Sequence, residues 1–164
     1  MKTAALALLS LAAPLVASLA ASPSATMRLG ALEAAYDPAV MRVERFDGGL
    51  VLEGDRAWTR TAAYVEVSET EPCSQEAMRT ALGERGDTDE DAGSQTLASG
   101  LTLHWATSWT GCRALTGRPV AACIRHDGVT TRVRGLDLGC RTPVDQDVLI
   151  LTLLQDARPA GESG

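Results

Sequence analysis

Lysine is almost absent. Lys2 is the only one, so every other basic side chain apart from the two histidines is an arginine. Aromatic residues are scarce as well: Tyr36, Phe46, Trp58, Tyr64, Trp105 and Trp109 are all there are. A core must therefore be built mostly from Leu, Val and Ala, which raises the value of covalent cross-links. No two cysteines are spaced as CxxC, which removes the usual signatures of a zinc site and of a thioredoxin-like redox centre. No G-x-S-x-G elbow and no H-E-x-x-H occurs. Only His104 and His126 can supply an imidazole. No apolar run approaches the roughly 20 strongly apolar residues of a membrane-spanning helix. The net charge of −6 argues against general nucleic-acid binding, which phosphate neutralisation drives. A basic amphipathic helix of the membrane-surface type is missing too.

What is present begins with a three-part N-terminus. Lys2 precedes an apolar stretch from Ala4 to Ala17, and the small residues Ser18, Ala20 and Ala21 follow. That layout predicts a cleavable export signal over 1–20, cut after Ala20 or Ala21, and a periplasmic or secreted destination. What remains is the size of one domain.

Cys73, Cys112, Cys123 and Cys140 are an even set in an exported chain, and the expectation is two disulfides. Thr116-Gly117-Arg118-Pro119 reads as a turn. Centred on Gly117 and Arg118, it sets Cys112 opposite Cys123 at cross-strand distance. Cys73 and Cys140 then pair by elimination.

Ala21 to Thr26 reads as a linker and Leu29 to Tyr36 as a short helix, so that 21–40 precede the domain proper. Asp47-Gly48-Gly49 lies between the apolar runs Met41–Phe46 and Leu50–Glu53 and predicts a hairpin. Thr61 to Ser68 alternates as a half-buried strand, with Ala63, Val65 and Val67 on one face and Tyr64 and Glu66 on the other. Ser74 opens a helix that presents Ala77, Met78, Ala81 and Leu82, stopped by Gly83. Gly83 to Gly100 reads as a long acidic loop. From Leu101 to Leu138 a three-stranded meander is expected. Asp127-Gly128 is its second turn, Ile124 meets Thr131 and Ala122 meets Val133. A parity change after Gly135 suggests a bulge there. Thr142-Pro143-Val144-Asp145 resembles a helix start, followed by the apolar run Val148–Leu154. The expected fold is α+β. An antiparallel sheet of about five to six strands carries two or more helices, in a single disulfide-bonded domain over 41–158 with a disordered tail at 159–164. The element order is loosely similar to that of the PsbP-like fold, a likeness of order alone that implies no function.

Among candidate sites, Asp87, Asp89 and Asp91 resemble the start of a calcium loop, since alternating carboxylates supply hard oxygen ligands. Ala92 and Ala98 stand where that pattern needs glycine and glutamate, which favours a solvated acidic loop. His104 and His126 fall on opposite sheet faces and form no joint site. Cysteines held in disulfides give no Cys/His dyad. No catalytic residue and no cofactor is assigned.

Charge is unevenly spread. Glu66 to Asp91 is acidic, whereas Arg113 to Arg141 is rich in arginine. Arg125, Arg132 and Arg134 share the sheet face away from the apolar one. Planar guanidinium forks suit carboxylates and phosphates. The competing reading is a solvated face whose arginines pair with the protein's own acids. These features point to an exported, noncatalytic binding protein, of an envelope inhibitor or immunity type. Its partner would be another protein, with no nucleic acid and no membrane insertion after cleavage. The alternatives are a small envelope enzyme or ligand carrier, or an accessory subunit of an envelope complex.

Overall fold

The computed structural model describes residues 24–55, 60–82, 91–108, 110–112, 115–117, 119–135 and 146–161, with 110–112 and 115–117 described by backbone pairing alone. In chain order its elements are β1 (Ala25–Leu29), β2 (Leu32–Tyr36), β3 (Met41–Phe46), β4 (Gly49–Gly54), β5 (Arg60–Ser68), α1 (Gln75–Leu82), β6 (Asp91–Thr96), β7 (Thr102–Thr107), β8 (Thr110–Cys112), β9 (Leu115–Gly117), β10 (Val120–His126), β11 (Val129–Gly135), α2 (Gln146–Gln155) and β12 (Ala157–Pro159). Seven strands form one sheet in the order β3-β4-β5-β11-β10-β7-β6, and three form a second in the order β1-β2-β12. Every pairing is antiparallel. The expected α+β packing of several helices on a five- or six-stranded sheet is overturned. The described chain is mostly β, with two short helices.

Much of the excess strand comes from two segments without strong strand signals. Leu29 to Tyr36, expected as a helix, is instead the β1–β2 hairpin, with Leu29 opposite Leu32. Gly30 has φ +63° and Ala31 does not share it, the pattern of a two-residue turn with glycine in first place. Residues 91–96 belong to the expected acidic loop, yet form edge strand β6 against β7. At the other end, Pro159 pairs with Leu32 and the Ala160 amide donates to the Ala31 carbonyl at 2.9 Å, so the start of the expected tail is part of the fold.

Other local signals hold. Phe46 faces Gly49 across the Asp47-Gly48 turn. Asp127 (φ 48°) and Gly128 (φ 80°) make the tight turn between β10 and β11, with Ile124 opposite Thr131 and Ala122 opposite Val133. Ser74 caps α1 by accepting the Ala77 amide at 3.1 Å. The apolar run near the C-terminus is the helix α2. Its start signal at 142–145 and the bulge expected after Gly135 lie outside the described residues.

The register between β7 and β10 differs from the expected one. Thr107 faces Val120, Trp105 faces Ala122 and Leu103 faces Ile124. The Ser108 amide reaches the Pro119 carbonyl at 3.2 Å, and Thr110 faces Gly117 while Cys112 faces Leu115. All these pairs share one centre, between residues 113 and 114, so β7–β8 and β9–β10 are two halves of one long hairpin. The pairing therefore does not fold about Gly117 and Arg118. The shift is an even number of residues, so each side chain keeps its expected face while its opposite neighbour changes.

One face of the large sheet is the core face. Leu50, Leu52, Ala63, Leu103, Val120, Ala122, Ile124 and Val133 are buried there. Leu29, Leu32 and Ala34 of the small sheet and Leu149, Ile150, Leu153 and Leu154 of α2 close over them. Each fully buried aliphatic side chain contributes about 1.5–3 kcal/mol, so this layer is the main stabilising element. On the outer face α1 lies over β6, β7 and β10. Met78 meets Ala106, Ala121 and Cys123 there, small residues that let the helix approach closely.

Candidate binding face

The outer face is read most simply as rows of cross-strand neighbours. One row runs Ser94, His104, Cys123, Arg132, Glu66. The next runs Ala92, Ala106, Ala121, Arg134, Tyr64, Gly49, Phe46. Among the described elements α1 covers the β6, β7 and β10 end of both rows. Over the β3, β4 and β5 end of the rows no helix lies among the described residues.

Cys123 is bonded to Cys73, with Cα atoms 5.7 Å apart. The expected Cys112–Cys123 and Cys73–Cys140 pairings are corrected accordingly. The Cys112–Cys123 expectation rested on a turn at Gly117-Arg118. In the observed register Cys112 faces Leu115 and Cys123 faces His104, so the two cysteines are not cross-strand partners. Cys123 points under α1, where Cys73 enters the helix. Cys140 and the side chain of Cys112 lie outside the described residues.

Arg125, Arg132 and Arg134 share the outer face, as parity requires, but the structure separates their roles. Arg125 donates from Nη1 to the Glu71 carbonyl at 3.1 Å and to Thr130 Oγ1 at 3.0 Å, and from Nη2 to the Glu69 carbonyl at 3.3 Å. Arg132 donates from Nε and Nη2 to Glu66 Oε2, each at 2.6 Å, and its Nη1 lies 3.5 Å from Glu71 Oε2. These two arginines hold the acidic segment that leads into Cys73 and α1. Arg134 is exposed and has no carboxylate partner among the described residues.

The open end carries a feature that the sequence reading missed. Phe46 and Tyr64 stand edge to face with ring centroids 6.3 Å apart, at 37% and 39% exposure. The Phe46 ring lies over Gly49, where a Cβ would overlap it. Val51 and Ala62 are half-buried and share this face. Arg42 and Glu44, paired at 2.6 Å, flank the apolar centre on β3, and Glu53 and Arg60 do so on β4 and β5. Tyr64 was placed on the outer face by alternation. Reflecting Phe46 through Asp47-Gly48 would have brought it to the same place.

The remaining candidates are dispersed. Asp91 is the first residue of β6, while Asp87 and Asp89 lie outside the described residues. Among the described residues no three His, Cys, Asp or Glu side chains gather as a metal site. His104 Nδ1 is buried with no hydrogen-bond partner, and His126 lies at the β10–β11 turn, 3.3 Å from its neighbour Asp127. A cleft of about 470 Å³ beside α1 is lined by Glu71, Ser74, Glu76, Thr80 and Arg132, polar groups without a nucleophile and base in contact. No helix among the described residues is long and apolar enough to cross a membrane. No protein-family model matches the chain, and no curated protein is significantly similar to it.

Proposed function

We propose that this is an exported, noncatalytic binding protein that docks the open end of its outer sheet face onto another exported protein. The observation that carries the reading is the exposed Phe46–Tyr64 ring pair on a strand-built surface. Aromatic anchors at the centre of a polar rim are the usual composition of a protein-binding hot spot. A sheet surface changes little on binding and costs little ordering entropy. Arg134, the register partner of Tyr64, calls for a carboxylate on the partner beside an apolar patch. An inhibitor or immunity-type protein works in this way, by occupying a surface instead of transforming a ligand. The N-terminal signal pattern and the disulfide Cys73–Cys123 support a site of action in an oxidising compartment.

The test begins with the oxidised mature protein as bait in envelope extract, followed by affinity measurement with the purified partner. Tyr64→Asp and Arg134→Glu are expected to weaken the complex by about 100-fold and tenfold respectively, with unchanged thermal unfolding. A partner bound equally well by both variants would exclude this face. The absence of any partner would favour a ligand carrier or an enzyme.

A further inference from the structure

We infer that the notch between the β1–β2 and β3–β4 turns is a binding site for a short aliphatic carboxylate. The notch encloses about 180 Å³. Leu50, Val65 and Val67 give it apolar surface, with Leu50 fully buried and Val67 left 52% exposed. Phe46 and the backbones of Gly30, Gly48 and Gly49 complete it, and Arg28 and Arg45 line it as exposed side chains.

Two arginines thus line one small space, and among the described residues no acidic side chain lines it. The acids nearest to them in register and sequence are committed elsewhere. Glu33, opposite Arg28 in register, is paired with Arg158 at 2.6 Å. Glu44, next to Arg45, is paired with Arg42 at 2.6 Å. Asp47 stands at the hairpin tip and does not line the notch.

Both arginines are also positioned. Arg28 Nε donates to the Gly30 carbonyl at 3.2 Å, and Arg45 Nη2 donates to the Arg28 carbonyl. A guanidinium has five N–H donors, so each keeps donors for a ligand. Holding two like charges together is unfavourable unless an anion lies between them, and a carboxylate accepts such forks bidentately. The chain is acidic overall, at −6, so this local cationic pair runs against its charge.

Size sets the other half of the ligand. A dry cavity of about 150 Å³ admits a benzene ring, so roughly four to six carbon atoms fit here. Gly30 packs against Val67 so closely that a Cβ would overlap it, which fixes that wall of the notch. A branched acid such as isovalerate has this chemistry, and so does the last residue of a polypeptide that ends in valine or leucine.

The experiment is an amide-shift NMR titration of the full disulfide-bonded mature chain with isovalerate, N-acetyl-leucine and the neutral isovaleramide. Saturable shifts at Gly30, Gly48 and Val67 are expected, with Kd on the order of 1 mM for the carboxylates and at least about tenfold weaker binding of the amide. Tighter binding of N-acetyl-leucine than of isovalerate identifies a polypeptide C-terminus as the source, and the reverse identifies a free acid. Arg28→Gln and Arg45→Lys, the latter keeping the charge but losing the fork, should each cost about tenfold. Val67→Trp fills the notch with both arginines in place, and should abolish binding. Equal binding of acid and amide, or binding untouched by Val67→Trp, overturns the site. Phe46 borders both places, but Tyr64 and Arg134 do not line the notch, and Arg28, Arg45 and Val67 are not part of the docking face, so the two sets of variants fail or succeed separately.

Discussion

Cys73 and Cys123 join the entrance of α1 to the middle of β10 across 50 residues of chain. The bond sits where Met78, Ala106 and Ala121 pack and where Arg125 and Arg132 hold residues 66–71. Covalent, apolar and ionic ties therefore act on one segment, and the bond chiefly limits the freedom of the unfolded chain.

Closing a loop of that length is worth about 4 kcal/mol on loop-closure entropy. The double variant Cys73→Ser/Cys123→Ala should lose that amount in urea unfolding, with the largest gain in hydrogen exchange over α1. Peptide mapping of the oxidised protein should recover a Cys73–Cys123 peptide. Recovery of a Cys112–Cys123 peptide instead would contradict the register of the long hairpin.

What could be read from the sequence was whatever a short stretch decides for itself. Asp127-Gly128 demands positive φ at two successive residues, and Ser74 offers a cap to the first turn of α1, so both elements were legible. Face assignment on β10 and β11 was legible too, because parity survives any even error in register. The failures have one origin. The β1–β2 hairpin is rich in Ala and Leu and looks helical, and β6 (Asp-Ala-Gly-Ser-Gln-Thr) looks like a loop. Each is a strand because a neighbour offers unpaired backbone: β12 and β2 pair, and β7 lends β6 its edge. Such non-local pairing overrides local propensity. The Gly117-Pro119 turn signal lost to a hairpin that aligns Leu103 with Ile124 and Trp105 with Ala122 on the core face. For the candidate face, the arginines were found, but their partners Glu66, Glu69 and Glu71 depended on how residues 66–71 cross the sheet.

The Asp127-Gly128 turn gives a sharp test of that local logic. Gly128 has φ 80° with nothing within 4 Å of an added Cβ, so an alanine meets backbone strain and no clash. Gly128→Ala is expected to cost about 1 kcal/mol in equilibrium unfolding. Asp127→Asn should be nearly neutral, because asparagine tolerates the same left-handed conformation. A neutral Gly128→Ala would mean that the turn is not of this type.

Arg132 is 22% exposed and Glu66 40%, so their ion pair lies between a surface pair and a buried one. Solvent screening limits its coupling to about 1 kcal/mol in a double-mutant cycle of Arg132→Met and Glu66→Gln. Arg132→Met alone should also loosen Glu71 and be read as faster amide exchange at residues 69–71. Zero coupling in the cycle would show that the geometry contributes nothing to stability.

Edge strand β6 has few apolar residues, and on the core face one ring lies against it. Trp105 lies opposite Gly93, and a Cβ there would fall within 2.6 Å of the indole. An aromatic side chain laid over a glycine in the neighbouring strand shields backbone that the glycine leaves bare. Trp105→Leu should therefore cost about 2–3 kcal/mol, more than its partial burial suggests. Gly93→Ala should cost about 1–3 kcal/mol by forcing the ring away. The two effects compete for one volume. Combined in one chain, the changes should cost less than their sum by about 1 kcal/mol, because the smaller leucine leaves room for the new methyl group. Strict additivity in urea unfolding would show that the ring does not rest on Gly93, and the attachment of β6 would then fall to its backbone ladder and to α1, which lies over it.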